Sequence, residues 1–201
     1  MDKAQYIEKY QAFIFGLDDV LYPSKDYWLQ VYYLFAQFIE YGEQIEGQGI
    51  IKFMEETYRN EGPEGIFEKT ALKFGLPEKY KLNFDLLQQN ARLPLKLLLF
   101  APVLSFMQAI VASGKSVFLA AEGNAAQQLN KIRQMEWNGL EKVLKVYFVD
   151  EVENGSLTAT IEKIVSEHDL KKDEILLVNE IKDSEDLAYF NTYNYLSVNK
   201  L

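Results

Sequence analysis

Ala12-Phe13-Ile14-Phe15 is an unbroken apolar run that stops at Gly16, with Asp18 and Asp19 just beyond it. A run this short, closed by a polar loop, predicts a buried strand. From Ser24 the period changes. Trp28, Val31, Tyr32, Phe35, Phe38 and Ile39 recur at three- and four-residue spacing behind Pro23 and Ser24, which predicts a helix with its start signals. Further short helices are expected over residues 50–58, 66–74 and 84–89, separated by Gly47, Gly49, Gly62, Pro63, Gly75 and Pro77.

After Pro94 the pattern alternates. Helices are expected at 102–112, 125–135, 158–167 and 183–190, and strands at 117–121, 143–149, 175–178 and 193–198. Unbroken apolar strands alternating with helices indicate an α/β fold, a Rossmann-like parallel sheet with helices on both faces. The core domain is expected to comprise residues 1–22 and 94–201, split by an all-helical insertion at 23–93. That insertion, roughly 70 residues, is too long for a connecting loop. Ligands of open α/β sheets sit beyond the carboxyl ends of the strands, which places Gly16 to Asp19, Glu122 to Asn124 and Asn179 to Asp183 around one crevice.

Composition narrows the function. The 201 residues include 21 Lys+Arg against 30 Asp+Glu, a net charge of -9, with 48% hydrophobic residues and no cysteine. A chain of this size and apolar content can bury a core as one domain or one domain with an insertion. Without cysteine there is no disulfide, thiolate metal site or Cys nucleophile, which suits a reducing compartment. Negative charge with no Lys/Arg run argues against nucleic acid as a partner. Residues 1–10 carry Asp2, Lys3, Glu8 and Lys9 where a signal peptide would be apolar, and the run 97–104 is too short to span a bilayer. The expectation is a soluble cytoplasmic protein with no membrane partner, and a homodimer on base rates.

Phe13 to Pro23 reads F-I-F-G-L-D-D-V-L-Y-P. It resembles the opening motif of the haloacid dehalogenase-like hydrolases, typically F-D-L-D-D-T-L-Y. The inserted helices resemble that superfamily's cap of the first type. Arg92-Leu93-Pro94 and the stretch F-L-A-A-E-G-N-A-A-Q-Q-L-N-K-I from Phe118 resemble the branch containing pyrimidine 5'-nucleotidases. The resemblance covers nearly the whole chain. It implies phosphoryl transfer to an aspartate followed by magnesium-assisted hydrolysis. Such chemistry uses a nucleophilic carboxylate, a second carboxylate two residues on, a Ser/Thr hydroxyl, a lysine and an acid for the metal.

Carried over position by position, the set is incomplete. The nucleophile position falls on Gly16, which has no side chain. Asp18 matches the general acid/base, and Asp19 the acid beside it that has no direct chemistry. The hydroxyl position falls on Ala121, or on Ala120 if the alignment slips by one. The lysine stretch is Glu153-Asn154-Gly155-Ser156, with no cation, and the nearest substitutes, Lys131 and Lys163, lie inside expected helices. Where the fourth motif usually reads Gly-Asp, this chain has Asn179-Glu180, followed by Ser184 or Glu185. Asp18 and Glu180 are the remaining metal positions. Magnesium is the ion of any residual site, and Glu180's longer arm suits its octahedron less well. No cofactor is otherwise expected.

The reading is a haloacid dehalogenase-like protein without phosphatase activity that binds or regulates through a small-molecule or protein partner. The alternative is a weak or atypical magnesium-dependent phosphohydrolase acting on a small phosphate ester such as a nucleotide, through Asp18 and a water. Other signals have blander readings. His168, the only histidine, is expected on the solvated surface. Gly114-Lys115-Ser116 resembles the end of a phosphate-binding loop, but Ala109 stands where its first glycine belongs and a strand follows it. Asn154-Gly155-Ser156 matches a glycosylation sequon and is expected to be a turn. The aromatics Tyr27, Trp28, Tyr32, Tyr33, Phe35, Phe38 and Tyr41 are expected to be helix packing rather than a stacking surface. The acids Asp18, Asp19, Glu122, Glu180 and Asp183 would crowd the crevice, which is expected to disfavour phosphate and to hold a cation, water or nothing instead.

Overall fold

The computed structural model describes residues 3–152, 155–180 and 193–201. In chain order the elements are α1 (Lys3–Lys9), β1 (Ala12–Phe15), α2 (Ser24–Glu43), α3 (Gly47–Glu61), α4 (Ile66–Phe74), α5 (Tyr80–Asn90), β2 (Leu97–Leu98) and α6 (Ala101–Ala112). They continue with β3 (Ser116–Ala121), α7 (Ala125–Gln134), β4 (Met135–Glu136), β5 (Lys145–Phe148), α8 (Leu157–Glu167), β6 (Ile175–Asn179) and β7 (Tyr195–Ser197). The expected helix 183–190, with Asp183, Ser184 and Glu185, lies outside the described residues, as do Glu153 and Asn154.

Two compact units emerge. One comprises Met1–Pro23, Leu98–Gln128 and Met135–Leu201, and the other Ser24–Leu97 and Leu129–Gln134. In the first, five parallel strands lie in the order β5-β3-β1-β6-β7. Every β1 side chain is buried because both faces of the sheet are covered. Phe13 and Phe15 meet Phe106 of α6 edge-on, with ring centroids 5.6 and 6.3 Å apart. Ala12 and Ile14 point the other way into a cluster with Phe118, Ile161, Ile164, Ile175 and Leu177, which brings α8 onto the opposite face. Ser156 caps α8, its hydroxyl accepting from the Ala159 amide at 3.1 Å. Within the motif expected as a turn, this serine serves as a helix cap.

The second unit is built from α2 to α5. Tyr27, Tyr32 and Phe35 are buried, and Phe35 packs edge-on against Phe67 and Phe84 at 5.9 and 5.0 Å. Packing therefore accounts for much of the stripe, while Tyr33, Phe38 and Tyr41 are exposed. Gly47 and Gly49 do not break the chain here but open α3. A Cβ at Gly47 would lie 3.0 Å from the Glu40 carboxylate and 3.3 Å from the Ala36 carbonyl, so glycine eases the close approach of α2 and α3.

His168 departs from its expected place in solvent. It is half-buried at the end of α8, its ring 4.7 Å from that of Phe118. The Lys145 ammonium, which can only donate, lies 3.4 Å from Nδ1, so Nδ1 accepts and the ring proton sits on Nε2. Nε2 then donates to the Tyr147 hydroxyl at 3.0 Å, which donates to Glu167 at 2.7 Å. Burial, and next the Glu167 hydrogen bond, push the Tyr147 phenol up to about 12 from 10.0. A phenol that holds its proton more tightly when folded stabilises the chain below the unfolded value, and that stability is lost as pH rises toward the folded value. Tyr147→Phe is therefore expected to lose less stability than the natural chain between pH 10.0 and about 12, as read by urea denaturation across that window.

Candidate functional site

The carboxyl ends of the sheet bring together Gly16 after β1, Glu122 after β3, Asp150 after β5 and Asn179-Glu180 at and after β6. Residues 17–22 form a tight reversal. The Leu21 amide donates to the Leu17 carbonyl at 3.0 Å, and the Asp19 amide to the Tyr22 carbonyl at 3.1 Å. Asp19 reaches this with φ of 59°, a left-handed conformation that Asp tolerates better than most residues. The reversal presents Asp18, one of whose oxygens accepts from the Tyr22 hydroxyl at 2.6 Å and the other from the Gln128 amide at 3.0 Å.

Gln128 is almost fully buried near the start of α7 and also donates to the Glu122 carbonyl. Asn124 caps that helix, its side-chain oxygen accepting from the Gln127 amide at 3.0 Å. Beside it the Gly123 amide donates to Asp150 at 3.3 Å. Ala120 and Ala121 end β3 fully buried and offer no hydroxyl. Lys131 is 2% exposed, its ammonium over the rings of Tyr27 and Trp28 at 4.9 and 5.7 Å. Lys163 lies on α8 and pairs with Glu167 at 3.9 Å. Lys115, in the Gly-Lys-Ser turn, donates to the Gln11 side chain at 2.7 Å.

The vacancy expected at Gly16 is filled. Gly16 is buried, and β1 pairs with β6 so that Phe15 is level with Val178, which makes Asn179 the neighbour of Gly16 on the next strand. The Gly16 amide donates to the Val178 carbonyl at 3.1 Å. A Cβ built on Gly16 would lie 2.6 Å from Asn179 Oδ1, 3.1 Å from Asn179 Cγ and 3.0 Å from Val20 Cγ2. Oδ1 is fixed there by the Glu180 amide, which donates to it at 2.9 Å, and the Tyr195 hydroxyl donates to the Asn179 carbonyl at 2.7 Å. The part played by Asn179 and Gln128 was not read from the sequence. The available signal was a glycine at a strand end that must face the residue next to it on the adjoining strand.

Magnesium does not fit these residues. Position 16 supplies no carboxylate and its space is taken by an amide, while both Asp18 oxygens already accept hydrogen bonds. Among the described residues no three His, Asp or Glu side chains gather into one group. Glu180 is half-buried one residue past the strand, which places it at the same end of the sheet as Asp18, while Asp183 and Glu185 lie outside the described residues.

A parallel sheet wound on both faces, with a helical insertion after its first strand and its polar residues at the carboxyl ends, defines an open α/β protein of Rossmann-like type. The comparisons make the class more specific. A haloacid dehalogenase-like family hydrolase of Streptococcus pneumoniae matches with a TM-score of 0.53 at 13% identity, over 94% of this chain and 85% of that one. One L-2-haloacid dehalogenase matches at 0.53 and 16% identity over 94% of this chain and 83% of its own, and another at 0.52 and 13% over 96% and 88%. The chain therefore has the fold of the haloacid dehalogenase-like hydrolases. No protein-family model matches it, and no curated protein matches it in sequence. No helix among the described residues is long and apolar enough to cross a membrane.

Proposed function

We propose that this chain is a non-catalytic protein built on the haloacid dehalogenase-like fold, acting by binding or regulation in the cytoplasm, with residues 23–93 as its cap. The observation that carries this reading is Gly16 packed against the Asn179 amide, where phosphoryl transfer needs an open carboxylate. Loss of one group from a cooperating catalytic set removes most of the rate, and here the hydroxyl position is alanine as well. A route through Asp18 and water has less support, because neither a carboxylate at position 16 nor a hydroxyl at position 121 is there to hold the phosphoryl group. The partner is a small molecule or another protein, and the cysteine-free composition suits a reducing compartment.

The test is turnover of p-nitrophenyl phosphate and a panel of nucleotides with magnesium. The natural chain is expected to release no more phosphate than Asp18→Asn does.

A further inference from the structure

We propose that Asn179 occupies, from the neighbouring strand, the space a carboxylate at position 16 would need, and that this amide closes the strand-end site to a divalent cation. The proposal deepens the non-catalytic reading and rests on it only for its functional meaning. Its geometric basis stands separately.

Three observations converge. First, the contact is between side chain and backbone. A Cβ on Gly16 would approach Asn179 Oδ1 to 2.6 Å, inside the distance at which any real Cβ is found, so glycine at one position and asparagine at the other are a matched pair. Second, Asn179 is held from two sides, by the Glu180 amide on Oδ1 and the Tyr195 hydroxyl on its carbonyl. Oδ1 cannot swing away without leaving the Glu180 amide unpaired, a cost comparable to a lost hydrogen bond. Third, Gly16 does not need glycine for its backbone, since its φ lies outside the left-handed region that the chain's other special glycines occupy. Space, not conformation, sets the cost of a side chain there, because the Asn179 amide must shift to admit one.

The chemistry of the substitution follows. An amide oxygen already accepting from Glu180 N–H is a neutral, weaker ligand than a carboxylate, and magnesium, which dehydrates reluctantly, is usually held through one or two carboxylates. Gln128 completes the closure on the other side, its amide nitrogen bonded to Asp18 and to the Glu122 carbonyl, so Asp18 is held by donors from the protein itself. The strand ends thus hold a network of amide and hydroxyl donors around Asp18.

The test is a double-mutant cycle of Gly16→Ala and Asn179→Ala, read by urea denaturation, with melting temperatures taken with and without millimolar magnesium. Gly16→Ala should destabilise the natural chain and become near neutral in the Asn179→Ala background, a coupling of roughly tenfold in the unfolding equilibrium constant. The natural chain's melting temperature should not respond to magnesium. Gly16→Asp combined with Asn179→Ala should gain a magnesium-dependent rise, and sodium chloride at the same ionic strength serves as the ionic control. If that variant does not fold, the alanine cycle decides alone. The proposal is overturned if Gly16→Ala costs the same in both backgrounds, if the folded double variant ignores magnesium, or if magnesium raises the natural chain's melting temperature and Asp18→Asn abolishes the effect. Turnover by the natural chain would defeat the non-catalytic reading without touching this cycle. Absence of coupling would defeat the cycle without restoring turnover.

Discussion

Gly16→Asp is expected to destabilise the chain by about 3 to 5 kcal/mol rather than to restore an enzyme. Two costs add. The new Cβ enters a space where Asn179 Oδ1 would lie 2.6 Å away and Val20 Cγ2 3.0 Å away, and overpacking of this kind costs about 1 to 3 kcal/mol. The carboxylate would also have to be introduced at a buried position, and desolvation of the charge adds about 2 kcal/mol or more. Urea denaturation of the variant against the natural chain measures the sum. A variant as stable as the natural chain would show that Asn179 yields freely and that the site is open.

Phe35→Ala is expected to cost about 3 to 5 kcal/mol, lowering the melting temperature by about 10 °C in a chain of this size. Phe35 is fully buried in the helical unit and touches the rings of Phe67 and Phe84, so truncation leaves a cavity that three fixed helices cannot collapse into. Phe38, three positions along the same helix, is 40% exposed, and Phe38→Ala should cost less than about 1 kcal/mol. Similar losses for the two variants would contradict the packing described for α2.

The contrast between Phe35 and Phe38 also shows what the sequence could reveal. Helical spacing identified α2, and four consecutive apolar residues identified β1, because burial of one helix stripe leaves a period and burial of both sheet faces leaves an unbroken apolar run. Elements without such a mark were missed. The seven residues of α1 include no buried one, and β2 and β4 are two residues each, too short for any period to show. Residue 135 was expected in a helix and lies in β4 instead, because its apolar side chain suited either assignment. Gly47 and Gly49 looked like breakers, although the first serves close helix packing.

The site was legible in its local part only. Gly16 and Asp18 stood out within one motif, and so did the missing hydroxyl at Ala121. The amide that fills the space beside Gly16 comes from Asn179, far along the chain, and only the pairing of β1 with β6 joins them. Gln128 was similarly hidden, since nothing in a helix sequence says that one glutamine will turn back onto a strand-end aspartate. His168 was judged by its charged neighbours, whereas its place is set by Phe118 and Tyr147 on the adjacent strands.

The function proposed for this chain requires strand ends that carry no phosphoryl acceptor. It is tested most directly by magnesium-dependent phosphate release from p-nitrophenyl phosphate, with the natural chain and Asp18→Asn measured side by side at equal concentration. The same background rate is expected for both. A rate in the natural chain that Asp18→Asn abolishes would contradict it.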